Sequence, residues 1–132
     1  MEKLYNLFTY GTLTNGFENP YARKLRRSSE YLGKGYFNGL LYRVEWYPGA
    51  LYDPFSPGRV HGEIYRLHSL GILEELDEYE EVSEDEAAGM YVRKVLPVTD
   101  SSGASVPCWV YLYNRPVEGL PLITGGCFEP MP

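Results

Sequence analysis

The sequence predicts an α+β domain of about six strands, partly closed into a barrel, with two main helices, one after the first strand and one after the fourth. Three observations carry this expectation. Aromatic residues make up 15% of the chain, thirteen of them tyrosines, and such residues favour pleated, half-buried surfaces. Two stretches carry helix signals, Asn19-Pro20 onward and Ser69 onward. Glycines inside the strand-like runs signal enough curvature for a sheet to close on itself. With 132 residues and 44% hydrophobic content, the chain fits one domain over residues 1–132 with a core of its own. No repeat or linker divides it.

Taken in order, Leu4 to Tyr10 alternates and is rich in aromatics, so it reads as a strand. It runs into Tyr10-Gly11-Thr12-Leu13. A glycine just after a strand permits a tight turn or the close approach of a ligand to the main chain. Successive free amides there would make an anion cradle, or the segment is an ordinary turn. Asn19 then caps a helix with Pro20 at its first position, burying Tyr21 and Leu25. Tyr31 to Trp46 is extended, with Asn38-Gly39 as a bend within one long strand rather than a hairpin turn. Pro48-Gly49-Ala50-Leu51 is a kinked lead into a short strand, and Asp53-Pro54 to Pro57-Gly58 is a turn. Arg59 to Leu67 is a strand whose Gly62 marks a close approach. Met90 to Val98 and Val106 to Tyr113 form two strands about the turn at Asp100–Gly103. The second has large residues on both faces, so both are covered. The tail, from Asn114, is rich in Pro and Gly and wraps the surface.

Charge narrows the partner classes. The net charge is −6, and nine of the eighteen acidic residues fall between Glu74 and Glu86, which argues against a nucleic-acid partner. Arg23, Lys24, Arg26 and Arg27 read as the solvated face of a helix. Cys108 and Cys127 have no metal-ligand spacing and read as reduced, partly buried thiols. His61 and His68 read as structural. No apolar run is long enough to cross a bilayer, and the first residues lack the pattern of a signal peptide, so a cytoplasmic protein without a membrane partner is expected.

The second helix holds the most pointed signal. Ser69 is a plausible N-cap, and Leu70, Leu73 and Leu76 recur at helical spacing. At about 100° per residue, Leu70 and Leu76 lie roughly 60° either side of Leu73. Glu80 lands at about −20°, inside that apolar stripe, while the other glutamates of the run fall toward the flank or the far side. Two readings stand. The helix stops near Asp77 and Glu80 sits in a solvated loop, or Glu80 faces a cavity as a general acid or base with a raised pKa.

Several pieces together resemble the γ-glutamylcyclotransferase-like family, including γ-glutamylamine cyclotransferases. They are Phe8-Thr9-Tyr10-Gly11-Thr12-Leu13, Tyr47-Pro48-Gly49-Ala50-Leu51, Val60-His61-Gly62-Glu63-Ile64-Tyr65, Leu76-Asp77-Glu78-Tyr79-Glu80 and Gly89-Met90-Tyr91-Val92-Arg93. Each is weak alone, but their order and spacing are specific and span most of the chain. The resemblance implies a mixed-sheet, barrel-like fold with a cavity at one end. It also implies that the loop of Tyr10, Gly11, Thr12 and Leu13 binds a γ-glutamyl group through main-chain amides, and that Glu80 is the catalytic acid/base. Two departures stand out: Glu81 follows Glu80 where the family often has glycine, and the acidic loop Ser83 to Ala88 is rather long.

The chemistry so implied is cyclisation of a γ-glutamyl amine or peptide to 5-oxoproline with release of the amine. It needs no metal or nucleotide cofactor, and the sequence offers no site for either. A non-catalytic module binding a small acidic ligand in the same cavity is the main rival. A protein-interaction domain explains the acidic cluster but not the placement of Glu80.

Overall fold

A computed structural model describes residues 4–11, 19–45, 47–80 and 89–128. The elements are β1 (Asn6–Thr9), α1 (Pro20–Arg27), β2 (Ser29–Arg43), β3 (Pro48–Tyr52), β4 (Arg59–Leu67), α2 (Gly71–Tyr79), β5 (Tyr91–Asp100) and β6 (Ser105–Tyr113). The strand order is β3-β2-β4-β1-β6-β5, and a further pairing of β2 with β5 closes the ring. Five strands thus form a barrel, with β3 added beside β2. The sheet is mixed, because β1 runs parallel to β6 and the other pairs are antiparallel. This is the α+β barrel with two helices that the sequence predicts.

The long strand β2 is the corner of the design. It pairs with β4 as far as Asn38 and with β3 from Gly39 onward, so Asn38-Gly39 is a bend within one strand. A Cβ at Gly39 would lie 2.1 Å from the carbonyl oxygen of Leu51, which explains the glycine. Closure occurs where Gly35 and Tyr36 meet Asp100 and Thr99. There a Cβ on Gly35 would sit 2.9 Å from the carbonyl of Thr99, so strands approach more closely than a side chain allows. Gly62 marks the same constraint between β4 and Thr9 of β1.

Two apolar clusters follow from strand alternation. Phe8, Phe37, Val60, Val98, Cys108 and Val110 point into the barrel. Leu7, Leu67, Tyr91 and Tyr111 point outward, where Leu25 of α1 and Leu73 and Leu76 of α2 cover them. Strand β6 contributes to both clusters, as its large residues on both faces require. The described tail runs along β2, where Arg43 and Ile123 amides donate to Pro121 and Leu41 carbonyls, and Phe128 is buried against the interior cluster. Cys108 is buried, whereas Cys127 is exposed rather than partly buried, and both are free thiols.

Helix α1 begins as its sequence suggests: the Asn19 side chain accepts from the Ala22 amide at 2.8 Å, and Pro20 is the first helical residue. Lys24 reaches across to Glu75 of α2, joining the basic face of one helix to the acidic face of the other. In α2 the N-cap is Leu70, with Ser69 one position earlier accepting from the Gly71 amide at 3.2 Å. The helix accordingly buries Ile72, Leu73 and Leu76, and Leu70 is only partly covered.

Candidate active site

Helix α2 does not stop at Asp77. It runs to Tyr79, and Glu80 is its C-cap, with φ −86° and ψ 4° and its amide donating to the Leu76 carbonyl at 2.9 Å. Glu80 therefore keeps the phase of the buried stripe. The residue is half-buried, and its carboxyl group lies in surroundings apolar enough for burial to push its pKa up to about 8. Among the described residues, no opposite charge or hydrogen bond offsets that desolvation. The negative end of a helix is an unfavourable place for a carboxylate in any case.

Glu80 stands close enough to three tyrosines for its charge to act on them. Tyr10, Tyr91 and Tyr111 all titrate above the usual tyrosine range, first because they are buried and then in part because of Glu80. Tyr10 follows directly on β1 and is held on both sides of its hydroxyl. It donates to the main-chain carbonyl of Tyr111 and accepts from the Ala50 amide at 3.2 Å. The Tyr91 hydroxyl donates to the Pro48 carbonyl at 2.5 Å. The beginning of β3 is thereby drawn toward the end of β1, beneath the end of α2.

Gly11 lies beside this network, but not for the reason a turn would suggest. Its φ is not in the left-handed region occupied by Gly33, Gly103, Gly119 and Gly126. What crowds a side chain is packing: a Cβ there would lie 3.0 and 3.1 Å from the ring carbons of Pro48, which would have to give way slightly. Thr12 and Leu13, the other loop positions of the expected site, lie outside the described residues, as does the acidic loop from Ser83 to Ala88.

Sequence reasoning missed a second set of polar residues. Arg93 of β5 grips Asp77 of α2 through two bonds, Nε to Oδ1 at 2.8 Å and Nη2 to Oδ2 at 3.0 Å. The Tyr111 hydroxyl donates to the same carboxylate at 2.7 Å, and Arg93 lies over the Trp109 ring, 4.5 Å from its centre. Asp77 and Arg93 both stand within recognisable motifs, yet nothing in their spacing says that they meet. Thr9, just before Tyr10, is 4% exposed, and its hydroxyl has no hydrogen-bond partner among the described residues. His61 faces Tyr36 and is not joined to this set. A surface groove lined by Glu30, Arg66 and His68 lies at the other end of β1, where Asn6 pairs with Arg66.

The model of one family, described as gamma-glutamyl cyclotransferase, AIG2-like, matches residues 7–130. The chain belongs to that family. It is 35% identical over 121 residues to a gamma-glutamylcyclotransferase family protein, YtfP, of Citrobacter rodentium, covering 91% of each chain. The solution structure of YtfP from Escherichia coli is similar at 32% identity with a TM-score of 0.63, covering 93% of this chain and 95% of that one. The crystal structure of an AIG2-like protein from Mus musculus is similar at 27% identity with a TM-score of 0.73, covering 97% and 90%. Among the described residues, no helix is long and apolar enough to cross a membrane, and no group of three or more candidate ligands gathers to hold a metal ion.

Proposed function

We propose that this member of the γ-glutamyl cyclotransferase family cyclises the γ-glutamyl group of a small amine or peptide, with Glu80 as general acid/base. The observation that carries the reading is the Glu80 carboxyl, raised to about 8 by burial and set among Tyr10, Tyr91 and Tyr111. In the reaction, the substrate's α-ammonium loses a proton to Glu80. The freed nitrogen attacks the side-chain carbonyl carbon and gives up a second proton, the carbon–nitrogen bond to the leaving amine breaks, and the two protons leave on that amine as an ammonium. The products are 5-oxoproline and the amine. A carboxyl group that titrates near the working pH suits this exchange, because it both accepts and returns a proton readily.

The remaining parts have matching roles. Main-chain amides of Gly11, Thr12 and Leu13 would hold the substrate carboxylate or the developing oxyanion, with Tyr10 fixing the start of that loop. Holding the γ-glutamyl chain curled turns a floppy search into an oriented attack. Free Cys108 and Cys127 suit a reducing compartment, and we place the activity in the cytoplasm. The test is incubation with a panel of γ-glutamyl amines and dipeptides, measuring 5-oxoproline. Turnover by the wild type, lost by about 10²–10⁴-fold in a folded Glu80→Gln, is the expected result. Binding without turnover across the panel would leave only a ligand-binding module.

A further inference from the structure

A carboxyl group with no tether of its own is placed by the backbone that carries it. Glu80 is such a group: among the described residues, no opposing hydrogen bond or charge meets its desolvation. Its main chain is the last capped position of α2, so whatever fixes the end of that helix fixes the carboxyl. The helix has no basic residue in its last turn to balance its negative end. Arg93 of β5 supplies that charge from outside, through its two bonds to Asp77, three residues before Glu80. Both partners are 23% exposed, so the pair is sheltered enough to hold a defined geometry.

Tyr111 makes the connection to the other half of the site. Its hydroxyl donates to Asp77 at 2.7 Å, while its main-chain carbonyl accepts from the Tyr10 hydroxyl. One residue of β6 thus ties the last turn of α2 to the end of β1. We propose that Asp77, held by Arg93 and Tyr111, is a positioning residue that sets the Glu80 carboxyl against Tyr10 and Gly11. The proposal rests on the reading of Glu80 as acid/base. It assigns Asp77 no contact with substrate; it acts through Glu80.

The decisive measurement is the titration of the Glu80 carboxyl by NMR in the ligand-free, full-length protein. Around that carboxyl stand Tyr10, Tyr91 and Tyr111, and the wild-type value is expected at about 8. In Asp77→Asn the end of α2 loosens, water reaches Glu80, and the value falls by about one unit or more. Because a released Arg93 would itself lower that value, Asp77→Asn/Arg93→Gln is measured beside it, and the fall persists. Where cyclisation is observed, kcat falls about tenfold with KM within roughly twofold, as misplacement of a reacting group requires. Arg93→Lys keeps the charge without the two-pronged grip and gives an intermediate loss. A purely structural clamp predicts a lower melting temperature with Glu80 titration and kcat unchanged, and that result overturns the proposal. Should Asp77→Asn fail to fold, Tyr111→Phe removes one hydroxyl and decides by the same readouts. If the wild type turns over no γ-glutamyl compound, the titration still tests the clamp, so the two readings fail separately.

Discussion

Asp77 and Glu80 stand one turn apart on the same short helix, and their surroundings treat the same functional group in opposite ways. Asp77 receives a guanidinium and a phenol, three hydrogen bonds in all, and is held in place by them. Among the described residues Glu80 receives none of these, and burial pushes it toward the neutral acid. Sequence position and helix phase are nearly shared, so neither explains the difference. It lies in what the strands bring: β5 and β6 deliver Arg93 and Tyr111 beneath Asp77, while Tyr10 and Tyr91 near Glu80 direct their hydroxyls to main-chain carbonyls. A carboxylate in a protein wall is structural or reactive according to whether its neighbours' donors are already engaged.

The sharpest way to break this comparison is stability against pH. Glu80 has a folded pKa of about 8, above its ordinary value of 4.5. Between those values the folded state keeps a proton that the unfolded state has released, so stability falls as pH rises through the window and the loss is complete above it. Glu80→Gln removes the penalty. Its melting temperature should match the wild type's below pH 4.5 and exceed it increasingly up to about pH 8. Equal melting temperatures throughout would mean that Glu80 is solvated. Asp77→Ala is expected to have the opposite sign at neutral pH, losing about 2 kcal/mol by stranding Arg93 and the Tyr111 hydroxyl. Denaturant unfolding measures it, and a stability equal to wild type would remove the contrast.

Gly11→Val comes next. The added side chain must displace the Pro48 ring, whose carbonyl holds Tyr91, so lost ligand binding should come with a loss of about 1–3 kcal/mol. Wild-type stability in that variant would show that Pro48 yields freely. The smallest effect expected is at Thr9, a buried hydroxyl with no partner among the described residues. Thr9→Val keeps the shape and removes the unpaired hydroxyl, raising ligand-free stability by about 1 kcal/mol or less. A decrease instead would show that an ordered water occupies the place.

Most elements were legible because their signals are local. Asn19 and Pro20 announce the start of α1, an aromatic-rich alternating run marks β1, and the helical wheel isolates Glu80 from eight other acids nearby. Closure was expected from the internal glycines, but the strand order was not legible, since the pairing of Gly35 with Asp100 depends on where five strands end in space. The grip of Arg93 on Asp77 was hidden for the same reason. Gly11 was read as allowing either a tight turn or the close approach of a ligand; its backbone is not left-handed, and the Pro48 ring crowds the place of a side chain. At Ser69 the hydroxyl still engages the helix start, one residue earlier than capping preference places it.

The bond from the Tyr10 hydroxyl to the Tyr111 carbonyl joins residues 101 positions apart. Strand β1 comes early in the chain, yet its place lies between β4 and β6, and β6 is the last strand of the ring. The first strand must therefore wait for the last, and so large a loop closes slowly compared with local pairing. Until it closes, β1 has no neighbour on its β6 side, and the hydroxyl that should anchor the site has no acceptor. A molecule arrested part-way, by crowding at the ribosome or by a mutation in β6, would present an unpaired strand edge liable to associate with other chains. The hydroxyl of Tyr10 thus finds its acceptor only once β6 has joined the ring, so this bond reports a closed barrel.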